Sequence, residues 1–290
     1  MRYHHVDVFT SRPYNGNSLA VFPDAAALTA AQMLAVTREL RHFESVFLVR
    51  DPALPRTCRA RVFDLTGELG FAGHPVIGAA SVLHALDAPG TGAADWTLRL
   101  NARTVRVTTR RQGPRRYAAV LDQGPAEFLG RHEGAPAAAI AARFSLRARD
   151  LDPALPPETV STGLRYLVLP VRGDALARAR ITAPLDDALA RLGADYAYLL
   201  DAGAREGRHW TNDGLLEDVA TGSGAGCAAA YLRRHGRIGD GEPVPLRQGR
   251  FTGRSGEMTV AAYGSGTDVR GVEVGGPVVL LGEGTLAELP

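Results

Sequence analysis

The chain resembles itself. Shifted by 149 positions, Asp64 falls on Asp213, Glu68 on Glu217 and Gly73 on Gly222, while Ala79, Ala80 and Leu83 fall on Ala228, Ala229 and Leu232. Alanine and leucine match cheaply. The acidic and glycine positions carry more, because both sets lie in a loop just before a helical stretch. This pattern predicts a duplicated α+β architecture of two pseudo-symmetric halves, each a curved sheet or barrel wrapped around one central helix. The halves are expected at residues 1–120, with a C-terminal strand at about 278–290 returning to them, and at 121–277.

Local patterning gives the rest of the outline. Residues 3–9 and 17–22 read as strands joined by a turn at Tyr14-Asn15-Gly16. Residues 29–40 have helical spacing, with Met33, Val36 and Leu40 on one face. Strands follow at Ser45–Val49, 58–64, near 96–109 and at 116–122, with a helix from His74-Pro75 to Leu86. In the second half, strands are expected at 164–171 and 196–201, and helices at 184–192 and from Gly222 to about His235. The two glycine-led helices are expected to point their N-termini at one seam. A helix N-terminus carries unpaired N–H groups and about half a positive charge, so it holds a carboxylate without a basic side chain.

That matters because all 33 basic residues are arginine. Without lysine there is no pyridoxal phosphate Schiff base and no P-loop lysine. A formal net charge of +2 makes no case for nucleic acid as a partner. There is no apolar run long enough to span a bilayer, and the N-terminus lacks the apolar stretch of a signal peptide. The expectation is a cytoplasmic protein with a site for a small carboxylate.

The stretch Glu217-Asp218-Val219-Ala220-Thr221-Gly222-Ser223-Gly224-Ala225-Gly226-Cys227 tests the alternatives. Its glycines lack the G-x-G-x-x-G spacing of a dinucleotide fingerprint, and Ser223 is not flanked as in G-x-S-x-G. Cys227, inside an alanine-rich helix, reads as a small buried hydrophobe, as does Cys58. The histidines show no ligand spacing such as H-E-x-x-H. Three residues remain. Asp218 either braces its loop or binds a polar substrate atom. His74 is either structural or part of a site, given its place on the other helix-leading loop. Glu44 is either a strand-edge residue in solvent or an acid–base group. Beside Phe43 and Val46-Phe47-Leu48-Val49 its carboxylate should hold a proton more tightly than usual.

Four stretches taken together resemble the PhzF family of phenazine-biosynthesis isomerases: Gly16-Asn17-Ser18-Leu19-Ala20-Val21-Phe22, Phe43-Glu44-Ser45-Val46-Phe47, Glu68-Leu69-Gly70-Phe71-Ala72-Gly73-His74-Pro75 and Glu217-Asp218-Val219-Ala220-Thr221-Gly222-Ser223. The Leu246-Arg247-Gln248-Gly249 segment extends the resemblance to the whole chain. It implies a diaminopimelate epimerase-like fold, a site in the cleft between the halves, a homodimer and cofactor-free chemistry. In such a protein Glu44 moves a proton on an unsaturated cyclic carboxylic acid, assisted by His74 and Asp218. Asn17, Gly73, Thr221, Gly222 and Ser223 contact the substrate. Diaminopimelate epimerases place cysteines near the positions of Ala72 and Thr221, so a two-thiol racemase is not expected here. Departures from the family pattern at Asp64-Leu65, Gly70, Val219 and Ser255 put the phenazine precursor itself in question. Pathways to 4-alkyl-proline units of antibiotics such as lincomycin are the branch considered beside it. An amino-acid epimerase or a non-catalytic acid-binding protein are the other readings.

Overall fold

Two helices are buried on every side. From His74 to His84, and again from Gly222 to Leu232, no position is open to solvent. A helix apolar all round must be enclosed, here by sheet. The computed structural model describes residues 1–290. They form two units: unit 1 is Met1–Asp122 with Gly275–Pro290, and unit 2 is Gln123–Val274.

Unit 1 runs β1 (Arg2–Val8), β2 (Asn17–Phe22), α1 (Ala30–Leu40), β3 (Glu44–Arg50), β4 (Thr57–Asp64), β5 (Glu68–Leu69), α2 (His74–Asp87), β6 (Ala93–Arg99), β7 (Thr104–Gly113) and β8 (Arg116–Gly124). β1 pairs antiparallel with β2, β2 parallel with β3, β3 antiparallel with β4, and β4 parallel with β6, which leads through β7 to β8. The C-terminal strand pairs with β1, His4 opposite Glu283, and lies along β8, where Leu280 N–H donates to the Arg115 carbonyl at 3.0 Å. The sheet therefore closes around α2, which packs on β1, β2, β3, β6 and β7. Outside it, α1 starts with a capping box, Thr29 and Gln32 each bonding the other's backbone N–H. It covers a second core in which Phe47 stacks on Phe22 at 4.6 Å and meets Phe63 edge-on at 5.7 Å. Each such ring contributes about 1.5–3 kcal/mol by leaving water.

Unit 2 runs β9 (Glu127–Arg131), α3 (Ala135–Arg143), β10 (Glu158–Ser161), β11 (Arg165–Pro170), α4 (Ala175–Arg178), α5 (Asp186–Ala190), β12 (Tyr196–Asp201), β13 (Glu206–Trp210), β14 (Glu217–Asp218), α6 (Gly222–Arg234), β15 (Val244–Gln248), β16 (Gly256–Ser265) and the first part of β17 (Asp268–Thr285), whose remainder from Gly275 is the C-terminal strand of unit 1. Here α6 packs on β10, β11, β12 and β16. Its glycines would cost roughly 1 kcal/mol each against alanine in an open helix, but they permit close packing. A Cβ on Gly226 would lie 1.9 Å from Gln123 Oε1, and one on Gly224 would lie 2.6 Å from the Tyr198 ring.

The α+β architecture, with one central helix per unit, is the one the internal repeat predicts. Differences are local. The extended stretch expected near 96–109 is a hairpin, β6 and β7, because the chain turns between Leu100 and Arg103. The last strand begins well before 278. Gly275-Gly276-Pro277 reads as a strand breaker, but Pro277 lends its carbonyl to Thr10 N–H and the strand continues through it. The helix expected over 184–192 is only Asp186–Ala190.

The repeat extends to a shared brace. Arg61 donates to Glu68 through Nε at 2.8 Å and Nη2 at 2.5 Å, and Arg208 donates to Glu217 through Nε at 2.8 Å and Nη2 at 2.7 Å. Each pair ties a short hairpin strand to its partner, Glu68 opposite Phe63 and Glu217 opposite Trp210, just before the central helix. Arg208 is the more enclosed. It also donates to the Leu176 carbonyl at 2.6 Å, and its guanidinium lies 4.3 Å from the Trp210 ring and 4.2 Å from that of Phe251.

Side-chain exposure is 3% and 13% in the Arg208–Glu217 pair against 16% and 20% in Arg61–Glu68. Removing one partner of a buried pair strands the other charge, at about 3–5 kcal/mol. Glu217→Ala is therefore expected to lose that much in urea unfolding and Glu68→Ala distinctly less; equal losses would contradict the burial argument.

Candidate active site

In unit 1 the chain leaves α1 through Arg41, a left-handed C-cap with φ of 59°, and enters β3 at Glu44. Glu44 pairs with Leu19 on one side and Asp64 on the other. His74 opens α2 behind Gly73, with Pro75 fixing the first turn. Asn17 opens β2. These three elements bring residues far apart in sequence into contact. His74 Nδ1 lies 3.3 Å from Glu44 Oε2 and 3.2 Å from Asn17 Nδ2.

The chemistry follows from what Nδ1 carries. With a proton it donates to Glu44. With a lone pair it accepts from the Asn17 amide, which can only donate through nitrogen. His74 is 3% and Asn17 2% exposed, so little water screens these contacts.

A second polar group borders the same strands and was not singled out from the sequence. Ser18 Oγ lies 2.7 Å from His42 Nδ1 and 3.0 Å from His5 Nε2, and the two rings meet edge-on at 4.7 Å. It ties β1, β2 and the approach to Glu44 together.

In unit 2 Asp218 sits on β14 and Thr221 caps the entry to α6. Thr221 Oγ1 donates to Asp218 Oδ2 at 2.6 Å. Gln248 fixes both. Its Nε2 donates to the Asp218 carbonyl at 2.8 Å and to Thr221 Oγ1 at 2.9 Å. Its Oε1 accepts from Thr221 N–H at 3.2 Å and from the Tyr198 hydroxyl at 3.1 Å. Ser223 Oγ shares a hydrogen bond with the Tyr166 hydroxyl at 2.9 Å. Gly222 starts the helix and gives its carbonyl to Gln123 Nε2 at 2.9 Å. Neither central helix has a side-chain cap hydrogen bond at its N-terminus.

The thiols stay out of this chemistry. Burial pushes Cys227 up to about 11 and raises Cys58 as well, so both remain protonated. No group of three or more His, Cys, Asp and Glu side chains is placed to hold a metal ion. Gln248 and Tyr166 join the residues singled out from the sequence. For Gln248 a signal existed: Val244, Leu246 and Gln248 alternate inward along β15, so an inward glutamine marks a buried polar network.

The fold is epimerase-like, and polar side chains gather near the start of each central helix, His74 at α2 and Asp218, Thr221 and Ser223 at α6. Residues 6–284 match the PhzC-PhzF family, described as phenazine biosynthesis-like protein, and the chain belongs to that family. A trans-2,3-dihydro-3-hydroxyanthranilate isomerase of Pseudomonas fluorescens is 33% identical, covering 97% of each chain. An uncharacterized isomerase of Escherichia coli K12 is 30% identical over 96% of this chain and 95% of its own. Among solved structures, a predicted epimerase of Pseudomonas aeruginosa has a TM-score of 0.93 at 49% identity, covering 99% of both chains. A hydroxyproline epimerase of Agrobacterium vitis shares the fold, with a TM-score of 0.64 at 15% identity over 98% of this chain and 91% of its own.

Gln248→Leu keeps the volume and removes four hydrogen bonds. Each buried polar group left without a partner costs about 1–3 kcal/mol. The expected outcome is a loss of several kcal/mol in chemical unfolding. A Leu variant as stable as wild type would show that Gln248 does not hold the Asp218 loop.

Proposed function

We propose that the chain is a cofactor-independent isomerase that moves a proton between two carbons of a small unsaturated cyclic carboxylic acid or amino acid. The observation that carries this is the contact set of Glu44, His74 and Asn17. It sets one carboxylate beside a buried imidazole that can donate a hydrogen bond to it. Glu44 takes a proton from a carbon activated by the conjugated system, the double bond shifts, and the same carboxyl returns the proton at a second carbon, a 1,3- or 1,5-shift. No atom is gained or lost. His74 and Asp218 orient the substrate and stabilise charge, Ser223, Thr221 and Asn17 contact it, and its carboxylate sits at the Gly73 and Gly222 helix starts, where peptide N–H groups favour an anion. In this reading the protein works as a homodimer in the cytoplasm.

The family supports the reading through curated relatives named as isomerases. It leaves the pathway open, and a secondary-metabolite acid, including the alkyl-proline branch, is the class proposed. An epimerase is the second reading, supported by the fold shared with proline racemase and hydroxyproline epimerase structures. It needs a base on each face of the substrate, whereas Ala72 and Thr221 stand where a thiol pair would.

General acid–base catalysis contributes on the order of 10²–10⁴ in rate. Offered trans-2,3-dihydro-3-hydroxyanthranilate and a panel of cyclic unsaturated acids, Glu44→Gln is expected to lose that much in kcat while still binding the accepted compound. Wild-type turnover by Glu44→Gln would remove Glu44 as the base.

A further inference from the structure

One polar group of unit 1 has no part in the proposed reaction. On β2, Leu19 points inward: a Cβ on Gly78 of α2 would lie 2.4 Å from its Cδ2. Successive side chains of a strand alternate between faces. Ser18 therefore faces away from α2, on the reverse side of the strand from Asn17. His5 shares that outer face. It stands opposite Ala20 on β2, two residues from Ser18, and such diagonal neighbours are within reach of a long side chain. His42 comes from the link between α1 and β3. All three are half-buried. Both rings aim one nitrogen at the same oxygen, His42 Nδ1 at 2.7 Å and His5 Nε2 at 3.0 Å from Ser18 Oγ. On the other flank of β1, His5 faces Gly282, where the register shifts by a bulge. A Cβ on Gly282 would meet nothing within 4 Å, so that flank of the imidazole is open.

We infer that His5, His42 and Ser18 form a binding site for a divalent late transition-metal ion. Two imidazole nitrogens and the hydroxyl oxygen are its protein ligands, and water from the open flank completes the shell. The argument is geometric. Metal–nitrogen bonds of about 2.1 Å put neighbouring ligands of an octahedral ion about 3.0 Å apart, roughly 1.4 times the bond length. The two N···O edges already fall near that value, so small side-chain rotations admit the ion. Imidazole selects Zn²⁺, Ni²⁺ or Cu²⁺ over Mg²⁺, which takes oxygen ligands. Without an ion, the one hydroxyl proton serves a single ring, and the other ring must turn an N–H to the same oxygen. The ion clips β1, β2 and the α1–β3 link together from outside, behind Asn17 and Glu44. It takes no part in proton transfer, and the inference does not rest on the proposed function.

The test uses the untagged chain freed of metal. Zn²⁺, Ni²⁺ and Mg²⁺ are titrated by calorimetry into wild type, His5→Gln, His42→Gln and Ser18→Cys. Wild type should bind one Zn²⁺ or one Ni²⁺ per chain and leave Mg²⁺ unbound. Each glutamine variant should weaken both ions roughly tenfold or more, since losing a ligand costs at least as much as losing a group behind one. Ser18→Cys should tighten Zn²⁺, because a thiolate is a better ligand for it than a hydroxyl. In the wild-type protein, Zn²⁺ should shift the ring ¹⁵N resonances of His5 and His42 and leave the other histidines unchanged, which covers a variant that does not fold. The proposal is overturned if neither Zn²⁺ nor Ni²⁺ binds, if Mg²⁺ binds as tightly, if either glutamine variant binds like wild type, if Ser18→Cys fails to tighten Zn²⁺, or if other histidines respond in place of these two. None of these measurements needs turnover, so this inference and the isomerase reading fail separately.

Discussion

Enclosing an entire helix in sheet is the constraint on which the rest of the structure depends. An enclosed helix cannot hand its polar groups to water, so each must be met from within its own unit. In α2, Ser81 donates to the Ile77 carbonyl, and His84 is met by Thr109 at one nitrogen and by the Thr91 carbonyl at the other. In α6, the Gly222 carbonyl is met by Gln123, whose oxygen accepts from Thr162. What stays available for chemistry is concentrated at the two N-terminal turns, beside Glu44 and Asn17 in one unit and beside Asp218, Thr221 and Gln248 in the other.

The paired Arg–Glu braces make those turns rigid. Arg61–Glu68 and Arg208–Glu217 each anchor the hairpin that feeds a central helix. A bidentate guanidinium–carboxylate contact fixes direction as well as distance. Positioning of this kind is what a site without lysine, metal ligands or an ionised thiol has to rely on. In the proposed reaction this leaves proton transfer to Glu44, with His74, Asp218 and the peptide N–H groups held in place around the substrate, the setting in which fixed dipoles act most strongly.

Much of this was legible in the sequence. The repeat at a shift of 149 marked both glycine-led helices and both brace glutamates. It missed the arginines. Arg61 and Arg208 are related by 147 positions, because the loop between the paired strands spans residues 64–67 in one unit and 211–216 in the other. A fixed shift cannot follow a two-residue insertion. Glu44, His74 and Asn17 were singled out from separate motifs, and Glu44 and Asn17 both lie against His74. Tyr166 was passed over because a tyrosine within a strand looks like core filling. Its meaning comes from the fold, which sets its hydroxyl against Ser223 and carries no local signature. The strand through Gly275-Gly276-Pro277 was hidden for a related reason: its continuity is enforced by neighbouring strands, over its own turn-forming preference.

The central claim is that one carboxylate, Glu44, moves a proton between two carbons. The most direct measurement is to turn over the accepted acid in D₂O and locate the label by NMR. The account predicts the double bond shifted and no stereocentre inverted, with deuterium found only at the newly protonated carbon, at most one per turnover and to the extent that the Glu44 carboxyl exchanges with solvent before it returns the proton. Deuterium at an α-carbon with inverted configuration, and the double bond unmoved, would contradict it and assign the chain to the epimerases.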